Sequence, residues 1–123
     1  MILPTATPNQ NNAFSLIQDV KTTQVSILKH LRLSASRARD DNNENLAQAL
    51  TQHAISLSRQ NLVLHRAKQR ILLAQDLSLI NQQLLVVVKQ VDDAFNEITN
   101  AATLLKSAAK VISLIRRLID VFV

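Results

Sequence analysis

Residues 84–122 read LLVVVKQVDDAFNEITNAATLLKSAAKVISLIRRLIDVF, with no glycine or proline to interrupt them. Leu84, Val91, Ile98, Leu105, Ile112 and Ile119 recur at a strict seven-residue interval. Val88, Phe95, Ala102 and Ala109 form a second row, four residues after each of the first four. Alternating steps of four and three put both rows on one side of a helix, the pattern of a packed helix or a coiled-coil seam. The expected interaction seam is Leu84, Val88, Val91, Phe95, Ile98, Leu105, Ile112, Ile115, Ile119 and Phe122.

Toward the C-terminus the apolar arc widens, as Ala108, Val111, Leu114, Leu118 and Val121 join it. Lys106, Lys110, Arg116 and Arg117 are the only charges there until Asp120. A wide aliphatic face with cations opposite is the composition of helices that lie on anionic membranes, and these four cations are the candidate contacts to such a surface. The same arc also suits a helix at the centre of a bundle, and no Trp or Tyr is present to anchor at headgroup level.

Upstream, residues 1–12 are polar, carry both prolines (Pro4 and Pro8), and read as a flexible arm. A helix over 13–39 follows, with an apolar stripe of Ala13, Leu16, Ile17, Val20, Ile27, Leu31, Ala35 and Ala38 and one polar interruption, Gln24. Residues 40–43 form the turn, where Asp41 and Glu44 have the spacing of a capping box. A second helix over 44–75 packs by Leu46, Leu50, Leu57, Leu64 and Ile71, with His53, Gln60 and Ala67 in a weaker partner row. No acid occurs between Asp19 and Asp40, or between Glu44 and Asp76, so the two helices bring basic segments side by side.

The seven-residue register slips by one position between Ile71 and Leu84, which marks either a break near Gln75–Ser78 or local overwinding in one continuous helix. A further boundary at Asp92–Asp93 or Thr99–Asn100 is opposed by the unbroken row through Val91, Ile98 and Leu105. The third helix is therefore expected to run over 77–122. The fold expected is all-α, a single helical domain over 13–123: a long antiparallel hairpin plus a third long helical segment, bundle-like or coiled-coil-like. An unbroken third helix would outrun the hairpin, and its overhang is expected to self-associate.

Composition points the same way. A chain of 123 residues with no glycine has nothing to build the positive-φ turns that sheets and hairpins use. Hydrophobic residues make up 47% of the chain, enough for a real core. Without cysteine there is no disulfide, thiolate nucleophile or thiolate metal site. No glycine-rich phosphate loop can exist either. His30, His53 and His65 stand away from carboxylates and from each other, so no helical metal spacing arises. Asp92, Asp93 and Glu97 lie beside Lys89 and read as a surface ion-pair network.

Formal charge is +5. Nucleic acid is disfavoured nonetheless, because no Trp, Tyr or zinc-ligand pattern accompanies the cations. The residues thus imply no catalytic centre, cofactor or metal. The expected function is a non-enzymatic helical interaction or oligomerisation module, with a homo-oligomer or a helical protein as partner. The alternative is a membrane-active protein that binds anionic membranes through its C-terminal helix. The N-terminus has neither the charge nor the apolar core of a secretory signal, and no run is long enough to span a bilayer. A cytoplasmic location, peripheral to a membrane at most, is the corresponding expectation.

Overall fold

A computed structural model describes the backbone of residues 8–73 and 77–121, and the side chains of residues 12–66 and 80–120. It holds four α-helices: α1 (Pro8–Asp40), α2 (Glu44–Leu73), α3 (Leu77–Asn96) and α4 (Ala101–Val121). The described residues contain no strand.

α1 starts earlier than the polar composition of 1–12 suggests. Pro8 occupies the first helical position, where its missing N–H costs nothing and its fixed φ suits the first turn. Residues 1–7, the rest of the expected arm, lie outside the described residues.

The turn after α1 solves the absence of glycine with asparagine. Asn42 takes the left-handed conformation (φ 59°), which asparagine and aspartate tolerate better than other non-glycine residues. Its N–H donates to the Arg39 carbonyl (3.0 Å), and the Asn43 N–H donates to the Ala38 carbonyl (2.7 Å). That pair of bonds is a Schellman closure of the helix end. Asn43 then caps α2, its Oδ1 accepting from the Leu46 N–H at 3.3 Å. The cap is therefore Asn43, not the Asp41 of the capping-box reading. Asp41 is still engaged in closing α1, its N–H bonded to the Arg37 carbonyl.

The expected 77–122 helix is two helices. The chain leaves α3 through tightened bonds from Glu97 N–H to Ala94 and from Ile98 N–H to Phe95. It re-enters helix at a reciprocal cap, where the Thr103 N–H donates to Asn100 Oδ1 (2.9 Å) and Thr103 Oγ1 accepts from the N–H groups of Thr99 (2.8 Å) and Asn100 (2.9 Å). This local polar chemistry overrides the seven-residue row, which continues across the break in number only. α2 and α3 are likewise separate helices; residues 74–76 between them lie outside the described ones.

Contacts fix the directions. Gln24 meets Leu57 and Arg39 meets Thr51, so α1 and α2 run antiparallel. Thr23 meets Asp92 and His30 meets Phe95, so α3 runs parallel to α1. α4 returns antiparallel to α3 and packs on α2 as well, with Gln60 reaching the Ile112 carbonyl. The arrangement is a helical bundle in which α1 and α4 each pack against both α2 and α3.

The core is a continuous aliphatic cluster. α1 contributes Ile17, Val20, Ile27 and Leu31; α2 contributes Leu50, Leu57 and Leu64; α3 contributes Leu84, Val88 and Val91; α4 contributes Leu104, Val111, Ile115 and Leu118. Removing each such side chain from water is worth roughly 1.5–3 kcal/mol. Because α4 folds back, the chain itself covers most of its apolar arc, and the described residues show no overhang of the kind an unbroken helix would make.

Candidate interaction surface

The seam residues are unequally buried. Leu84, Val88, Val91 and Ile115 are buried, whereas Phe95, Ile98, Leu105, Ile112 and Ile119 are partly buried at the core's edge. Phe122 lies outside the described residues. In α4 the true centre is shifted by one position, to Leu104, Val111 and Leu118 with Ala108 and Ile115. Ala102 and Ala109, members of the second row, are exposed. The cations Lys106, Lys110, Arg116 and Arg117 are all exposed on the outer side of α4. The aliphatic face that would join them at a lipid surface is packed inward.

The three histidines stay apart. His30 sits beside Phe95 with ring centroids 6.0 Å apart, the His53 ring is 2.8 Å from the Ala49 carbonyl, and His65 Nδ1 accepts from Lys21 Nζ at 3.4 Å. Among the described residues no three His, Cys, Asp or Glu side chains gather as metal ligands would. Asp92, expected to pair with Lys89, instead accepts a hydrogen bond from Thr23 Oγ1 at 3.1 Å. No helix among the described residues is long and apolar enough to cross a membrane.

The exposed feature with the most chemistry is the outer groove between α1 and α2. It encloses about 330 Å³ and is lined by Arg32, Ala35 and Arg39 from one helix and Thr51, Ala54, Ile55, Ser58 and Arg59 from the other. Alanines 35 and 54 make the floor low. The three guanidinium groups rise around it, with one held in place as Arg39 Nη2 donates to Thr51 Oγ1 at 3.1 Å. No carboxylate lines the groove; Glu44 stands only at its far end, beside Arg39.

Helical spacing extends this surface. Val25 lies seven residues before Arg32, which lies seven before Arg39; Leu62 lies seven after Ile55. Seven residues are two turns, so these side chains share the outer side of their helices. Val25 is 54% exposed, Ile55 47% and Leu62 65%. The Lys21–His65 contact bridges the two helices beyond them. The sequence reading saw the two basic segments meet but missed that aliphatics stand among the cations. The step-seven rows Val25–Arg32–Arg39 and Ile55–Leu62 were the available signal. They were hidden because each helix also carries a stronger buried stripe.

No protein-family model, curated protein or solved structure matches the chain, so the geometry of this surface is what bears on function.

Proposed function

We propose that this chain is a non-enzymatic helical interaction module whose working surface is the outer α1–α2 groove. One observation carries the reading: exposed Val25, Ile55 and Leu62 share a surface with Arg32, Arg39 and Arg59, on stretches of α1 and α2 that contain no acid. Cations without nearby carboxylates repel one another and gain from an anionic occupant, while half-exposed aliphatics gain roughly 1 kcal/mol each when covered. A surface that combines both favours a folded protein partner over bare phosphate, which has no use for the aliphatics.

The membrane reading would require α4 to leave the bundle, because Leu104, Val111, Ile115 and Leu118 are packed inside it. Exposing that face to reach lipid costs the core contacts first.

The test uses Ile55→Asp with Leu62→Asp, both at exposed positions where the fold is expected to survive. Wild type and variant are compared by co-purification from the native host, with circular dichroism confirming equal helicity. A partner retained by wild type and lost by the variant supports the groove; equal retention overturns it. In parallel, binding to anionic vesicles that vanishes on replacing Lys110, Arg116 and Arg117 by Glu would favour the membrane reading.

A further inference from the structure

We infer that the α1–α2 groove accepts the outer face of α3 from a second copy of this chain. The inference rests on the groove being an interaction surface and names what fills it.

The outer face of α3 is the chemical counterpart of the groove. Leu85 and Val86 are 60% and 55% exposed, although they stand in the most apolar stretch of the chain. Two turns further on come the exposed carboxylates Asp92 and Asp93, then Glu97, with Lys89 as the one cation among them. The face therefore offers aliphatics at one end and net negative charge at the other.

The groove has the same order. Lys21 meets His65 and Arg39 meets Thr51, which places Leu62 near the level of Val25, with Ile55 nearer that of Arg32. Along α1 Val25 thus precedes Arg32 by two turns, about 10 Å, and Arg39 by four, while Arg59 lies within one turn of Leu62, between the two levels. Leu85 and Val86 precede Asp92 and Asp93 by the same seven residues. In the register that matches like spacing, Leu85 and Val86 cover Val25 and Leu62. Asp93 then faces Arg32 and Glu97 approaches Arg39, while Arg59 falls one turn short of Asp93, at the level of Lys89. Desolvation disfavours the reversed register, which would set Asp92 and Asp93 on the aliphatic end and leave Arg32 and Arg39 without carboxylates.

This register makes the incoming α3 run parallel to the receiving α1. α3 is already parallel to α1 within one copy, so both copies point the same way, and because the contact joins two different surfaces it is heterologous. A pair joined in this way keeps one free groove and one free α3 face. Growth then continues until a ring closes or a lateral array forms. The two surfaces lie on different sides of the bundle, since α2 and α3 are not a packed pair among the described residues.

Sedimentation velocity over a broad concentration series at low and high salt tests this. Wild type is expected to gain mass with concentration and to lose it with added salt. Arg32→Gln with Arg39→Gln should weaken association about tenfold or more, as should Asp93→Asn with Glu97→Gln. Mixed in equal amounts, the two variants should form a two-chain species that grows no further, because only one intact groove and one intact α3 face remain. Wild type that stays monomeric throughout overturns the inference, as does either variant associating like wild type or a mixture that stays monomeric. If wild type is monomeric yet a host partner still depends on Ile55 and Leu62, the groove remains an interaction surface and only the second-copy inference falls. A groove that captures anionic vesicles in preference to another copy overturns it as well.

Discussion

Replacing Gln24 by Leu should stabilise this protein, although it removes an interhelical hydrogen bond. Gln24 is 1% exposed at the α1–α2 contact, where Nε2 donates to the Leu57 carbonyl at 2.9 Å. Its Oε1 is buried without a hydrogen-bond partner. The bond itself is worth about 1 kcal/mol net, while an orphaned buried acceptor costs about 1–3 kcal/mol. Leucine removes both and adds an apolar side chain of similar length to the stripe between Val20 and Ile27. The Leu57 carbonyl stands within α2, so it keeps its helical partner and nothing new is orphaned. The balance favours the variant by about 2 kcal/mol, or roughly 8 °C in Tm for a chain of this length. Gln24→Ala should instead lose about 1–2 kcal/mol, because the vacated volume is not refilled. Thermal melts followed by circular dichroism, with urea titrations alongside, separate the two. If Gln24→Leu falls below wild type together with Gln24→Ala, the Oε1 atom is satisfied in solution and the reasoning is refuted.

Asn42→Gly should gain a few tenths of a kcal/mol or stay neutral in urea unfolding, because it relieves the left-handed backbone, while Asn42→Val should lose 1 kcal/mol or more, on the order of the left-handed penalty. Asn100→Ala removes the acceptor for the Thr103 N–H and should cost about 1 kcal/mol by the same assay. Ile115→Ala, at a fully buried site, should cost about 2–5 kcal/mol. Ala108→Leu overfills the core and should lose about 1–3 kcal/mol, whereas Ala109→Leu, one position along and exposed, should be near neutral; equal effects would restore the seven-residue row as the true seam.

The two long helices were legible because their evidence is redundant. Every stripe residue expected for the first, from Ala13 to Ala38, is buried, including the polar exception Gln24. The turn between them was legible from six consecutive polar residues, though not the atom that caps it. The C-terminal half misled for a definite reason. A period reports which side of a helix is apolar, and Leu84, Val91, Ile98 and Leu105 keep that period across a break that consumes residues without changing their count modulo seven. What decides the break is Asn100 with Thr103, a reciprocal cap built from Asn and Thr instead of the familiar Ser and Glu. The candidate surface was half legible. The charges on α1 and α2 could be read directly, but aliphatics outside a helix's main stripe look like noise until a neighbouring helix shows where they lie.

The break at 97–100 also has a topological consequence. Straightened through Asn100, α3 and α4 would form one rod of about 67 Å at 1.5 Å per residue, and α4 would vacate its seat against α1 and α2. That seat would then fit the α4 of another molecule as well as its own, the condition for domain exchange. The sequence around the turn is compatible with either path, since no glycine or proline forbids the rod. Against that rod stand the short bonds among Thr99, Asn100 and Thr103 that hold the turn, and the buried residues of α4.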